Sequence, residues 1–392
     1  MKAAVRAIPL LAIGFVLWLF IGRARPEPKS ATSWDQHAAA AYLDQRQSWW
    51  MGWSGAARDH GTFCVSCHTS VAYAISRPGL RSALAEQGPS TNERKLLDNV
   101  IKRVRLWKDV EPFYTDHGYK AEESRGTEAV LNALILAAHD AQSGQLSDDT
   151  RTAFDNMWVL QDKTGDKKGA WSWLQFDLEP WEANDSQYYG AALAAVAVGT
   201  APENYRLTPE IQTNLKFLRE YLDREYLNQS TINRVVLLWA STKLPGLLEP
   251  DQQHSIVDEV LSKQQYDGGW ELSSLAYPPT GLGLSKLLRT WIREDGTSQK
   301  RESDGYATGL IVLVLQQAGL ERKSPPLTRG TSWLMANQNA ADGSWPSYSL
   351  NKRRNPSSDA GRFMSDAATA YAVLALTENQ RTTDRVASLS SR

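Results

Sequence analysis

The sequence predicts an all-α protein in which inner and outer helices alternate around a ring, an (α/α) toroid, and three observations carry that expectation. From about residue 95 the pattern is helical almost throughout, with very few alternating β-branched runs. Four segments pair a polar or acidic start with a long helix of small and apolar residues. Before three of those four helices lies a turn that ends in Gly-x-Trp or something close to it.

Taken in order, the chain opens on a targeting segment. Lys2 and Arg6 precede an apolar run from Ala7 to Gly22, followed by Arg23, Arg25 and Pro26-Glu27-Pro28. As a helix the run is roughly 24 Å long, somewhat short of the ~30 Å hydrocarbon core. No small-x-small cleavage site follows Gly22, so residues 1–25 read as an uncleaved N-terminal membrane anchor in preference to a removed signal peptide. Either way the body is expected on the periplasmic or extracellular side, held at the inner membrane by this segment. Nothing later is apolar enough to span a bilayer.

Residues 26–94 read as a linker and a short functional segment. Helical signal runs from Ala38 towards Trp49-Trp50, a Gly/Ser loop spans Gly52 to Thr62, and Thr69 to Ser76 opens a helix that Pro78 is expected to interrupt. Inside this segment lie the two cysteines of the chain, in Cys64-Val65-Ser66-Cys67-His68. In an exported chain that spacing predicts a covalent haem c, with Cys64 and Cys67 fixing the porphyrin and His68 as proximal iron ligand. A Cys64–Cys67 disulfide or redox dithiol, and a metal site drawing on His60, Cys64, Cys67 and His68, are the alternatives. The flanking Phe63 to Thr69 stretch resembles the attachment segment of c-type cytochromes. Small class I cytochromes take a downstream Met as second axial ligand, yet no Met occurs between Met51 and Met157. His117, in the loop-like Asp116-His117-Gly118-Tyr119, ranks first as distal ligand and His60 second, with an open position on the iron also allowed.

Residues 95–380 hold the repeats. The polar starts are Glu123 to Thr127, Asn184-Asp185-Ser186, Ser303-Asp304-Gly305 and Ser365-Asp366-Ala367, each before a helix of small and apolar residues. The turns are Gln161 to Trp171, Gln264 to Trp270, and Gln338 to Trp345. In such a unit a Gly supplies a positive-φ turn, the Trp lies across a helix end, and the Gln amide serves unpaired backbone groups. Residues 381–392 are polar and aperiodic and read as a flexible tail.

The Gln264 to Trp270 and Arg329 to Trp345 stretches resemble the QW repeats of the squalene–hopene cyclase and prenyltransferase toroid superfamily. The resemblance spans roughly residues 95 to 378 and implies fold more than activity, since that scaffold hosts cyclases, prenyltransferases and binding proteins. The cyclase acid motif has its nearest counterpart in Glu182-Ala183-Asn184-Asp185, where Asn184 occupies the place of the proton-donating Asp. A protein prenyltransferase is excluded because its zinc set needs a Cys and none follows Cys67. Glu182, Asn184, Asp185, Asp304 and Asp366 are the cavity candidates, with helix capping as the plainer role for the three aspartates.

Composition bounds the rest. The 392 residues carry 43 basic and 44 acidic side chains, a formal net charge of −1, so nucleic acid is excluded as a partner. Of the 15 Trp, Trp171, Trp173, Trp270, Trp333 and Trp345 recur with the turns and read as structural. The expected partners are a redox protein or an apolar small molecule, and the expected function is electron transfer or haem-dependent redox chemistry. The alternative is a cyclase-like enzyme or apolar-ligand-binding toroid with a disulfide and no haem.

Overall fold

A computed structural model describes residues 33–115, 119–277 and 288–390, with side chains described as far as residue 378. The membrane-anchor expectation and His117 lie outside the described residues. Within them the chain is mostly helical, and no helix is long and apolar enough to cross a membrane.

Twelve α-helices are described. They are α1 (Gln36–Gly52), α2 (Ala72–Ala83), α3 (Thr91–Arg105), α4 (Lys120–Ser143), α5 (Asp148–Val159), α6 (Ser186–Thr200), α7 (Gln212–Glu225), α8 (Thr231–Lys243), α9 (Pro250–Ser262), α10 (Gly305–Gln317), α11 (Pro325–Ala336) and α12 (Phe363–Ser390). Their starts follow local chemistry. Asp35 accepts from Ala38 N at 2.9 Å to cap α1, Ser90 and Glu93 form a capping box on α3, and Pro250 begins α9 where its missing N–H costs nothing.

Two of the helix ends differ from expectation. Pro78 does not interrupt α2, which continues around it to Ala83 while Ser82 Oγ donates to the Pro78 carbonyl at 3.1 Å. Backbone helix also continues to Ser390 across the stretch expected to be a flexible tail, because no Gly or Pro follows Ala375 to break it.

Alternate helices differ in burial. α6 is buried continuously from Ser186 to Val198 and α10 from Gly305 to Leu315, as befits helices apolar on every side. α7 and α9 bury one stripe each. The buried set packs in a cyclic order: α2 on α4, α4 on α6, α6 on α8, α8 on α10, α10 on α12, and α12 back on α2. Outside it, α1 leans on α2 and α12, α3 and α5 on α4, α7 on α6, α9 on α8, and α11 on α10 and α12. One cavity of about 620 Å³ is lined by Ser82, Ala138, Thr200, Lys243, Gln317 and Thr377, which lie near the C-terminal ends of α2, α4, α6, α8 and α10 and on α12.

The three Gln…Gly…Trp turns have one geometry. Gln161, Gln264 and Gln338 each donate from Nε2 to the carbonyl of their own turn glycine (Gly169, Gly268, Gly343) and to a carbonyl at the start of the next outer helix. Those second acceptors are Asn214 of α7, Pro326 of α11, and Asp35 at the head of α1, at 2.8–3.0 Å. The indoles of Trp171, Trp270 and Trp345 donate to Met157, Val260 and Leu334 in the preceding outer helices at 2.6–2.8 Å. The Trp therefore satisfies the helix end itself, and the Gln amide serves the next helix. At Gly343 (φ 77) an added Cβ meets the Ala38 carbonyl carbon at 2.3 Å, so the turn lies directly against α1.

Candidate functional site

The Cys64 to His68 stretch is positioned from both sides. Before it, Ala57–Arg58 and Thr62–Phe63 form a two-residue hairpin turned by His60 and Gly61, both at positive φ. Asn99 of α3 brackets Phe63, accepting from its N–H at 2.8 Å and donating to its carbonyl at 3.1 Å. Fully buried Arg103 bonds Thr62 Oγ1 at 2.6 Å and Glu128 of α4 at 2.5 Å. A buried ion pair in that place ties the hairpin to α4. Cys64 then donates its N–H to Ala56 O, and its carbonyl accepts the Trp50 indole N–H at 2.7 Å.

After it, Ser66 starts a helical turn, Cys67–Val71, by accepting from the N–H groups of Thr69 and Ser70. The turn leads straight into α2, so His68 lies at the entry of that helix. Its imidazole stacks on Phe363, with centroids 3.9 Å apart and planes 23° apart, and meets Trp50 edge-on at 5.1 Å. Trp181 stands 6.0 Å away. Burial pushes the imidazole down to about 3, which keeps it neutral. Its one hydrogen bond among the described residues joins Nδ1 to Thr69 Oγ1 at 2.8 Å, leaving Nε2 without a hydrogen bond.

Both cysteines are free thiols, so the disulfide alternative is not formed here. Burial pushes Cys64 up to about 12 and Cys67 well above the usual thiol range. A redox dithiol depends on a stabilised thiolate, and this environment disfavours one. Among the described residues no three His, Cys, Asp or Glu side chains gather as a metal-ion site. The cluster of His60, Cys64, Cys67 and His68 is therefore not assembled. His60 instead sits half-exposed in the hairpin turn, 3.6 Å from Asp59 Oδ2.

The carboxylate candidates separate. Glu182 is half-buried, and burial, eased by Lys120, raises it to about 7. It enters the electrostatic surroundings of both cysteines. Asn184 is exposed. Asp185 occupies the N-cap position of α6 without a side-chain capping bond and accepts from Asn233 Nδ2 at 3.1 Å. Asp304 caps α10, accepting from Tyr306 N and Ala307 N, and also from Leu272 N and Ser347 Oγ. Asp366 is not a cap: α12 begins three residues earlier, and the carboxylate accepts from Tyr42, Arg46 and Thr69 at 2.7–2.9 Å.

The donor set suits haem c. The two unpaired thiols of Cys64 and Cys67 would hold the porphyrin, and His68 Nε2, the nitrogen with no other partner, would take the iron. Sequence reasoning missed Trp50, Thr69 and Phe363, which define the imidazole's surroundings. Thr69 was legible as the hydroxyl next to the histidine, but Phe363 had no local signal.

No family model matches the chain, and no curated protein matches it. Among solved structures, a glycosidase bearing a point substitution is similar over 87% of this chain and 97% of its own, at 12% identity and a TM-score of 0.47.

Proposed function

We propose that the chain is an exported haem c protein built on an α/α toroid, acting in electron transfer or haem-dependent redox chemistry. The observation that carries this reading is the state of the Cys64 to His68 stretch: two free thiols, and a neutral imidazole whose Nδ1 is engaged while Nε2 is not. The cyclic packing of α2, α4, α6, α8, α10 and α12 supports a toroid, with the QW-like turns as its seams. Bound there, haem supplies one-electron chemistry at its iron. The chain's own residues do the rest. Cys64 and Cys67 tether the macrocycle, His68 donates to the iron, and Trp50, Phe363 and Trp181 exclude water from the imidazole. The basic and apolar segment at residues 2–25 would place the body on the periplasmic side of the inner membrane, where a redox partner protein or an apolar small molecule meets it.

The cyclase-like alternative draws no support from its candidate residues, because Asn184 is exposed and Asp304 has both oxygens engaged in capping and loop contacts. Co-expression with a cytochrome c maturation system, followed by a pyridine haemochrome spectrum and haem staining on a denaturing gel, tests the reading. A red protein that keeps its haem under denaturation supports it. A colourless one sinks it.

A further inference from the structure

We infer that Asp366, acting through Thr69, is a positioning residue that assigns the proton of His68 to Nδ1 and presents Nε2 as a bare lone pair. The inference deepens the haem reading and rests on it for its redox consequence, though not for the tautomer itself.

The relay is short and buried. Thr69 is 3% exposed and Asp366 1%. Thr69 Oγ1 lies 2.7 Å from Asp366 Oδ2 and 2.8 Å from His68 Nδ1. A hydroxyl has one proton to give, and an ionised carboxylate can only accept. Asp366 accepts from Tyr42 OH and Arg46 Nε on Oδ1 as well. Burial, the largest influence on it, raises its pKa; against burial, the Arg46 guanidinium at 2.8 Å and the hydroxyls of Tyr42 and Thr69 favour the carboxylate form. Thr69 must then donate towards Asp366 and accept from His68, so the imidazole proton sits on Nδ1.

Geometry makes the assignment rigid. The carboxylate is held by α1 through Tyr42 and Arg46, the relay and the Phe363 stacking partner both come from the first turns of α12, and Thr69 follows His68 directly. Ring orientation and tautomer are therefore set by the same helix entrance. An anionic acceptor at the far end of an Nδ1–H hydrogen bond makes Nε2 a stronger donor. A stronger donor favours the oxidised iron, so the relay lowers the reduction potential of a haem bound at His68.

The test uses the full chain, first without haem maturation. Histidine ¹⁵N shifts report which nitrogen carries the proton, and wild type is expected as the Nδ1–H tautomer of His68. Thr69→Val keeps shape and removes the relay, so the Nδ1–H tautomer is lost in favour of Nε2–H. Thr69→Ser restores it. In the haem-loaded protein Thr69→Val shifts the midpoint potential upward and Thr69→Ser returns it. If valine prevents folding, Thr69→Ala serves the same purpose. An Nε2–H tautomer in wild type, or a Thr69→Val protein with unchanged tautomer and potential, overturns the inference. A colourless wild type that still carries Nδ1–H would support the relay while defeating the haem reading, so the two failures are distinguishable.

Discussion

The entrances of α10 and α12 carry nearly the same sequence, Ser303-Asp304-Gly305 and Ser365-Asp366-Ala367, yet their aspartates do different work. Asp304 precedes its helix and takes two of the free N–H groups there. Asp366 lies one turn inside its helix, where backbone N–H groups already have partners, and its carboxylate is left to bind Tyr42, Arg46 and Thr69. A four-residue shift in where a helix begins converts a cap into a cross-link. The cap is a property of one turn, whereas the cross-link joins three segments of the chain and reaches the candidate haem ligand.

The comparison can be broken by substitution. Asp366→Ala strips one of two carboxylate partners from Arg46, whose side chain is 3% exposed and keeps Asp359 at 2.8 Å, and removes the shared acceptor of Tyr42 and Thr69; losing three buried bonds to a carboxylate costs about 3–5 kcal/mol. Chemical denaturation should register that loss, together with reduced haem retention. Asp304→Ala removes a cap and two loop bonds, for about 2–3 kcal/mol, with haem content unchanged. Equal losses of haem in the two variants would erase the distinction drawn here.

A third substitution sharpens the comparison by loosening α1 from elsewhere. Gly343→Ala places a methyl against the Ala38 carbonyl, and overpacking at a positive-φ turn costs about 2 kcal/mol. Because α1 also holds Asp366 through Tyr42 and Arg46, the variant should exchange α1 amides faster than those of α10. Uniform exchange would indicate that α1 does not depend on this seam.

The smallest effect concerns pH. Burial raises Glu182 from 4.5 to about 7, so the folded state holds this proton more tightly than the unfolded chain does. Its contribution to stability is full below about pH 4.5 and is lost as pH rises through about 7. Glu182→Gln should therefore gain on wild type between pH 5 and pH 8, by about 1–2 kcal/mol once solvent screening of a half-buried group is allowed for. A wild-type minus variant difference that stays flat over that range would remove Glu182 from the buried surroundings of the cysteines.

Much of the scaffold was legible. Gln264, Gly268 and Trp270 act within a single turn, and their roles follow from amide, positive-φ and indole chemistry that reads the same wherever it recurs. Less was legible at the site. Cys64, Cys67 and His68 announced themselves by spacing, whereas the hairpin turn that holds His60, ranked second as a distal ligand, carried no such signal. Asn184, placed in a cavity by its likeness to the cyclase acid motif, is exposed. Neighbours in sequence carry no information about which way a loop faces.

What the sequence determined by itself was the helical class, the repeat unit and the five residues of the Cys64 to His68 stretch, because each depends on interactions a few residues long. Only the tertiary structure decided that α12 packs back on α2 and so brings Asp366 to Thr69, 297 positions away, and Phe363 onto His68. Those contacts exist because the helices pack in a closed order, and closure is a property of the whole chain that no window of it contains.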